Sequence, residues 1–383
     1  MKFYDYTNAT LVRKVCRFPL VHKNNVISLL VFNFPLIIQK KTYRNAYNAT
    51  GGGIILDYTL RICGIKVRKT KNYKKLLRFH HIYPNLWFQD SIPTLKETSS
   101  TERIIHLTQG LDKESTDLIY RIISRTLEAD AHPLKLYFAL SKKEVEALDS
   151  LQNDFFPNIF HIAPNLYCWN GYFLPKRHGI EVFWYRHGLD KLKNLDSLKD
   201  KDIIDVGGYI GDSALILQEY THNKVHSFEA TTQNYELMLE TIAINKAARI
   251  VPVKKALGSA PSKMTISVNG GSSSFNPSPH ANDKDENEEV EIITLDSYVA
   301  EHKIQVGFIK VDIEGFEMEF LKGAKETICT QKPTMLISIY HSLNDFFEIK
   351  PLIESWNLGY TFSIHKPIDY TISVETGLFC EIL

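Results

Sequence analysis

The sequence predicts an α/β fold, a mostly parallel sheet covered by helices on both faces. Three observations predict it. From residue 202 onward, short β-rich runs alternate with helix-like stretches: "DIIDV" (202–206), "KVHSF" (224–228), "RIVPV" (249–253), "GFIKV" (307–311), "TMLISIY" (334–340), "YTFSI" (360–364) and "GLFCEI" (377–382). Most of these runs are continuously apolar, as strands buried on both faces are. The last two have no helix-like stretch between them and are expected to form an antiparallel hairpin, so that one strand runs against the rest.

Composition sets the limits. At 383 residues and 44% hydrophobic content, the chain supports one large domain and a smaller one. Its net charge of +1 conceals a split, because residues 1–80 hold 16 Lys and Arg against Asp5 and Asp57 alone. Five widely spaced cysteines without a C-x-x-C pair argue against zinc or dithiol chemistry and fit free thiols in a reducing compartment. The most apolar stretch, 26–38, is interrupted by Asn33 and Pro35 and falls short of a membrane span. A cytosolic protein is expected. Three apolar runs with basic exits, at 16–23, 31–41 and 62–71, suit peripheral binding at the inner, anionic face of a membrane, and equally a basic β-rich subdomain.

Residues 81–165 read as a small, mainly helical accessory region, with Asp112 capping "KESTDLIYRIISRTLEA" and Ser141-x-x-Glu144 forming a capping box. Asn170-Gly171, between two apolar runs, predicts a hairpin over 166–174. "IEVFWYR" (180–186) is expected to be a strand. The Gly-, Ser- and acid-rich stretch 269–291 is expected to be a solvated loop, with Ser272, Ser273 and Ser274 as weak candidates for ligand contact.

The chemistry concentrates at strand ends. Behind "DIIDV", Gly207, Gly208 and Gly211 make a tight turn that a ligand can approach closely. The turn lacks G-K-[ST], and Asp205 would sit near any phosphate, which speaks against a nucleotide-phosphate loop. Glu229, ending the second strand, suits ribose hydroxyls. Together, Asp205 beside a cationic group and Glu229 on a ribose suit S-adenosylmethionine. Asp312 and Glu314 follow the fourth strand, whose end should lie beside the glycine turn. His341 and His365 close the fifth and sixth strands. A carboxylate or imidazole there could take a hydroxyl proton; His341 is the first choice and Asp312 the second. Asp312 and Glu314 are also the pair that would hold Mg²⁺, although no metal is indicated. Asn234 and Asn245, after the second strand, are adequately explained by helix capping.

From about residue 166 to the end the chain resembles the FkbM family of S-adenosylmethionine-dependent methyltransferases. The segments "DVGGYIGDSA", "SFEA", "ITLDSYV", "IKVDIEGFEMEFLKGA", "ISIYHSLNDFFEIKPLIE" and "HKPIDYTISVETGLFCEI" occur in the family's order. The resemblance implies a Rossmann-like seven-stranded sheet with a reversed last strand over 166–383, and S-adenosylmethionine held around Asp205, Gly207, Gly208, Tyr209, Gly211, Asp212, Ser213, Glu229 and Ala230. Tyr209 and Ala230 depart from the family, where Gly and Pro are common. It further implies O-methylation of a sugar or glycan precursor, as in bacterial surface-polysaccharide biosynthesis, and a family histidine at both His341 and His365. Two other readings compete. One is a nucleic-acid-binding methyltransferase that uses the basic leader, which lacks a recognisable RNA-binding motif. The other is a non-catalytic scaffold, disfavoured because the expected polar residues are all present.

Overall fold

The computed structural model describes residues 99–131, 140–269, 272–274 and 286–383, with Ile82, Leu95 and Glu97. Toward the N-terminus it describes the backbone of six strands between residues 10 and 72. Two compact units result, Met1–His81 and Ile82–Leu383. In the first, strands Thr10–Val15, Phe18–Lys23, Val26–Val31, Phe34–Ala46, Gly53–Ile62 and Ile65–Asn72 each pair antiparallel with the next. The apolar-basic runs fall largely on these strands, and their side chains lie outside the described residues. No helix among the described residues is long and apolar enough to cross a membrane.

The second unit is built on a seven-stranded sheet. Its strands are β1 (Asp202–Val206), β2 (Val225–Phe228), β3 (Ile250–Val253), β4 (Val306–Val311), β5 (Thr334–Ser338), β6 (Thr361–His365) and β7 (Gly377–Glu381). They lie in the order β3-β2-β1-β4-β5-β7-β6. β7 runs antiparallel to both neighbours, so the expected reversed strand is present. The order reverses between β1 and β4, the position at which α/β sheets open a crevice at their carboxyl ends.

Side chains alternate across the sheet, and the alternation explains the two cores. Ile204, Val206, Ile309 and Val311 face one apolar cluster, while Ile203 and Phe308 face the other. The first cluster also takes in Ile119 and Ile122 from helix Lys113–Ala131 and Phe346 and Phe347 from helix Leu343–Ser355. The Ser115 hydroxyl accepts the Ile364 amide at 2.9 Å, and this helix therefore seals β6 within the same core. Phe155 and Phe183 fill the opposite face.

Several local expectations hold. The Ser115 amide donates to Asp112 at 2.8 Å, and Ser141 and Glu144 complete a capping box. Asn170 and Gly171 have φ of 48° and 86° between strands Leu166–Trp169 and Tyr172–Leu174, as a tight hairpin requires. Two expectations are corrected. Residues 180–184 form a π-helical turn rather than a strand, followed by 3₁₀ turns over Arg186–Lys191. Val182 and Phe183 are adjacent and both buried, which a half-buried strand does not permit. Within the segment expected to be a loop, Ser272–Ser274 and Glu286–Ile293 are strands that pair with Ser262–Asn269. Burial of Val290 and Ile292 against Ile266 and Ala256 holds this side sheet. Residues 275–285 lie outside the described residues.

Helix Lys142–Ser150 carries a titratable support. Burial alone would raise the Glu144 carboxyl, but Arg125 at 2.7 Å and the Ser141 amide hold it down at about 2. A lowered folded value means that the contribution is complete above the ordinary 4.5 and disappears as pH falls toward 2. Chemical unfolding followed from about pH 5 to about pH 3 should therefore show a loss of stability in wild type that is clearly smaller in Glu144→Gln. Equal losses would contradict the assignment.

Candidate active site

The glycine turn is fixed by three strand ends. The Gly207 and Gly208 amides donate to the Phe228 carbonyl at 3.1 and 2.8 Å, and the Asp312 amide donates to the Val206 carbonyl at 3.0 Å. Gly207 has φ of 82°, and a Cβ there would stand 1.8 Å from the Asp312 carbonyl oxygen. At Gly208 a Cβ would lie 2.1 Å from Ser227 Oγ. Both glycines are needed for close approach of the turn to β4 and β2.

Register places a buried ion pair under this turn. Asp205 on β1 is opposite Lys310 on β4, so the two share a sheet face. Lys310 Nζ lies 3.4 Å from Asp205 Oδ1 and donates to the Gly207 carbonyl at 3.0 Å, while Ser227 Oγ donates to Asp205 Oδ2 at 2.7 Å. Asp205 is fully buried, and burial raises its carboxyl despite Lys310 and Ser227. The structure thus puts Asp205 beneath the turn as an anchor, not in a ligand cavity.

Two cavities flank the carboxyl end of β4. The first is lined by Gly207, Tyr209, Glu229, Ala230, Asp312 and Glu314 among others, and so collects six of the residues expected from sequence. Asn234 also lines it, where sequence reasoning saw only a cap; the N-cap of that helix is Thr231. Glu229 Oε1 accepts the Thr231 amide and hydroxyl at 2.8 and 2.6 Å. Burial raises its carboxyl against these bonds. Gly208, Gly211, Asp212 and Ser213 shape or support the turn without lining this cavity. Ser213 Oγ meets His187 Nε2 at 3.0 Å, and burial raises Asp212 to about 6. Asn245 bonds both backbone groups of Phe173, a structural tie. The side chains of Ser272, Ser273 and Ser274 lie outside the described residues.

The second cavity, the smaller of the two, is lined by Glu181, His187, Lys310, Asp312, His365 and Glu375 among others. His365, a candidate from the sequence, lines this cavity, and burial lowers its imidazole to about 4. Asp312 lines both spaces.

His341 differs from its expected role. Nδ1 lies 2.9 Å from Glu317 Oε1, and Nε2 lies 3.3 Å from Asp312 Oδ1 and 3.6 Å from Glu314 Oε2. Ionised carboxylates only accept, so an imidazole facing them from both nitrogens carries both protons. Burial opposes that charge, but Glu317, Asp312 and Glu314 outweigh it and raise His341 to about 10. A group protonated at neutral pH is no general base; His341 is instead a cationic clamp on the carboxylates. Burial in turn lifts Glu314, partly offset by His341, to about 7. Asp312, Glu317 and His341 each place a ligand-type atom within 4.8 Å of the others, so they are the set that a divalent cation would use, in place of the expected Asp312 and Glu314 alone. Such an ion would first have to displace the proton on the imidazole.

Sequence reasoning passed over Lys310, Glu317, Glu181 and Glu375. A signal existed for Lys310: a charge inside the apolar run "GFIKV" implies a buried partner. Glu317 opens helix Glu317–Gly323 after a turn in which Glu314 and Gly315 take φ of 56° and 95°, and it also accepts the Ile313 amide at 2.9 Å.

Because His341 is raised above its ordinary 6.5, its stabilisation is complete below that value and is lost as pH rises through about 10. Urea unfolding should therefore show wild type weakening between about pH 7 and pH 10. His341→Ala, which leaves Glu317 buried and unpaired, should cost about 3–5 kcal/mol at neutral pH and lack this slope. A variant as stable as wild type would remove the clamp.

Residues 205–362 match the family model of the methyltransferase FkbM domain. Among solved structures, methyltransferase FkbM from Methylobacillus flagellatus KT aligns at 18% identity over 77% of this chain and 61% of that one, with a TM-score of 0.48. Precorrin-6y C5,15-methyltransferase from Geobacter metallireducens GS-15 aligns at 11% over 49% of this chain and 85% of that one, TM-score 0.29. A protein from Streptococcus mutans in complex with SAH aligns at 10% over 49% and 93%, TM-score 0.31. The chain thus spans less than two thirds of the Methylobacillus structure. No curated protein matches it. The resemblance read from the sequence holds: over residues 205–362 the chain carries a methyltransferase FkbM domain.

Proposed function

We propose that this methyltransferase moves a methyl group from S-adenosylmethionine to a hydroxyl of a sugar or glycan precursor, with Asp312 as the proton acceptor. One observation carries the reading: Asp312 lines two cavities, which this reading assigns to the donor and to an acceptor. The first cavity fits the donor by its chemistry. Gly207 leaves open backbone where a Cβ would clash, and Glu229 offers a buried carboxylate of the kind that accepts ribose hydroxyls.

When bound, S-adenosylmethionine supplies an electrophilic methyl on a sulfonium. The chain's part is to seat a hydroxyl against that carbon and remove its proton, so that an O–C bond forms as the S–C bond breaks and the proton passes to Asp312. Tyr340 and His341 fix the base. The Tyr340 hydroxyl lies 3.2 Å from Asp312 Oδ1, and His341 Nε2 lies 3.3 Å from the same atom. Both hold the carboxylate in place.

Calorimetry with S-adenosylhomocysteine tests the donor site. Glu229→Ala should lose about 1.5–3 kcal/mol, more than tenfold in affinity. Asp312→Asn should bind within about threefold of wild type, yet lower transfer from labelled S-adenosylmethionine to fractionated cell glycans by about 10²-fold or more. Wild-type turnover in Asp312→Asn would overturn the base assignment, and unchanged affinity in Glu229→Ala the ribose site.

A further inference from the structure

The charge on the wall of the second cavity is unbalanced. Glu181, Asp312 and Glu375 present three carboxyl groups, and Lys310 is the cation on the same wall. Lys310 is already committed to Asp205 at 3.4 Å and the Gly207 carbonyl at 3.0 Å. The two imidazoles on the wall bring no charge, since burial holds His187 at about 3 and His365 at about 4. Among the described residues, no Lys, Arg or His lies within ion-pair distance of Glu181 or Glu375. Tyr340 links two of the acids, with its hydroxyl 3.2 Å from both Asp312 Oδ1 and Glu375 Oε1. Without a counter-charge, burial pushes the Glu181 carboxyl up to about 7, with Asp212, Asp369 and Asp312 adding to the rise.

We propose that the second cavity recognises an acceptor bearing a protonated amine, whose ammonium lies between Glu181 and Glu375 while a neighbouring hydroxyl faces Asp312. This rests on the methyl-transfer reading above and narrows its substrate class to amino-substituted polyols. An ammonium replaces the missing cation, and each carboxylate then accepts a charge-assisted hydrogen bond in a water-poor space, where such bonds are strongest. A neutral polyol gains no equivalent term, and an anionic one meets like charge.

The probes are glucosamine and glucose, which differ by an ammonium in place of one hydroxyl. Binding of each to the full chain saturated with S-adenosylhomocysteine is read by saturation-transfer NMR at neutral pH. Glucosamine should bind at least about tenfold tighter, ~1.4 kcal/mol. Glu181→Gln and Glu375→Gln, nearly isosteric, should each erase most of that preference while leaving S-adenosylhomocysteine affinity unchanged. Equal binding, a preference for glucose, or a glucosamine preference that survives both substitutions overturns the proposal. So does binding of neither sugar, with the donor site intact. Failure to bind S-adenosylhomocysteine would instead strike at the methyl-transfer reading, and this proposal would fall with it.

Discussion

One buried cation organises the catalytic end of the sheet. Lys310 Nζ sits in the interior with 4% of the residue exposed, between the Asp205 carboxylate and the Gly207 carbonyl. A charge in that position is tolerated only with good partners, and removing either one would leave the other uncompensated. The pair therefore ties β1 to β4 at the row where both strands end, and it holds the glycine turn down on Asp312. Gly207 completes the constraint, because the approach of the turn to the Asp312 carbonyl leaves no room for a side chain. Asp312, which lines both cavities, lies against this turn.

A second cation, the His341 imidazolium, acts on the opposite side of Asp312. Glu317 fixes the ring through Nδ1, and Nε2 faces Asp312 and Glu314. The Asp312 carboxylate is thus oriented by one imidazolium and one phenol, while its backbone amide is spent on Val206. Such support suits a base, which must hold near-attack geometry more than it must be strongly basic. The acids beyond it, Glu181 and Glu375, have no comparable cation among the described residues, and the proposed preference for an ammonium rests on this asymmetry.

Much of this was legible in the sequence. The strands were, because continuous apolar runs such as "DIIDV" and "GFIKV" have few alternatives, and so was the hairpin at Asn170-Gly171. The glycine turn and Glu229 were legible because both follow strands directly. What escaped depended on partners distant in sequence. Asp205 looked like a ligand contact until register showed Lys310 beside it. His341 looked like a base because its three carboxylates come from the far end of β4 and the helix behind it. Residues 180–186 read as a strand on composition, and only the joint burial of Val182 and Phe183 against the sheet makes them helical. In "EEVEII" the alternation of Val290 and Ile292 was visible, but the acids and prolines of the surrounding stretch outweighed it.

The central claim is that the donor and acceptor spaces meet at Asp312, with Glu229 at the far side of the donor space. A crystal structure of the full chain with S-adenosylhomocysteine tests it most directly. The account predicts the ribose hydroxyls on Glu229, the adenosyl group over Gly207 and Ala230, and the sulfur turned toward Asp312. A ligand seated among Glu181, His365 and Glu375, or one whose sulfur faces away from Asp312, would contradict it.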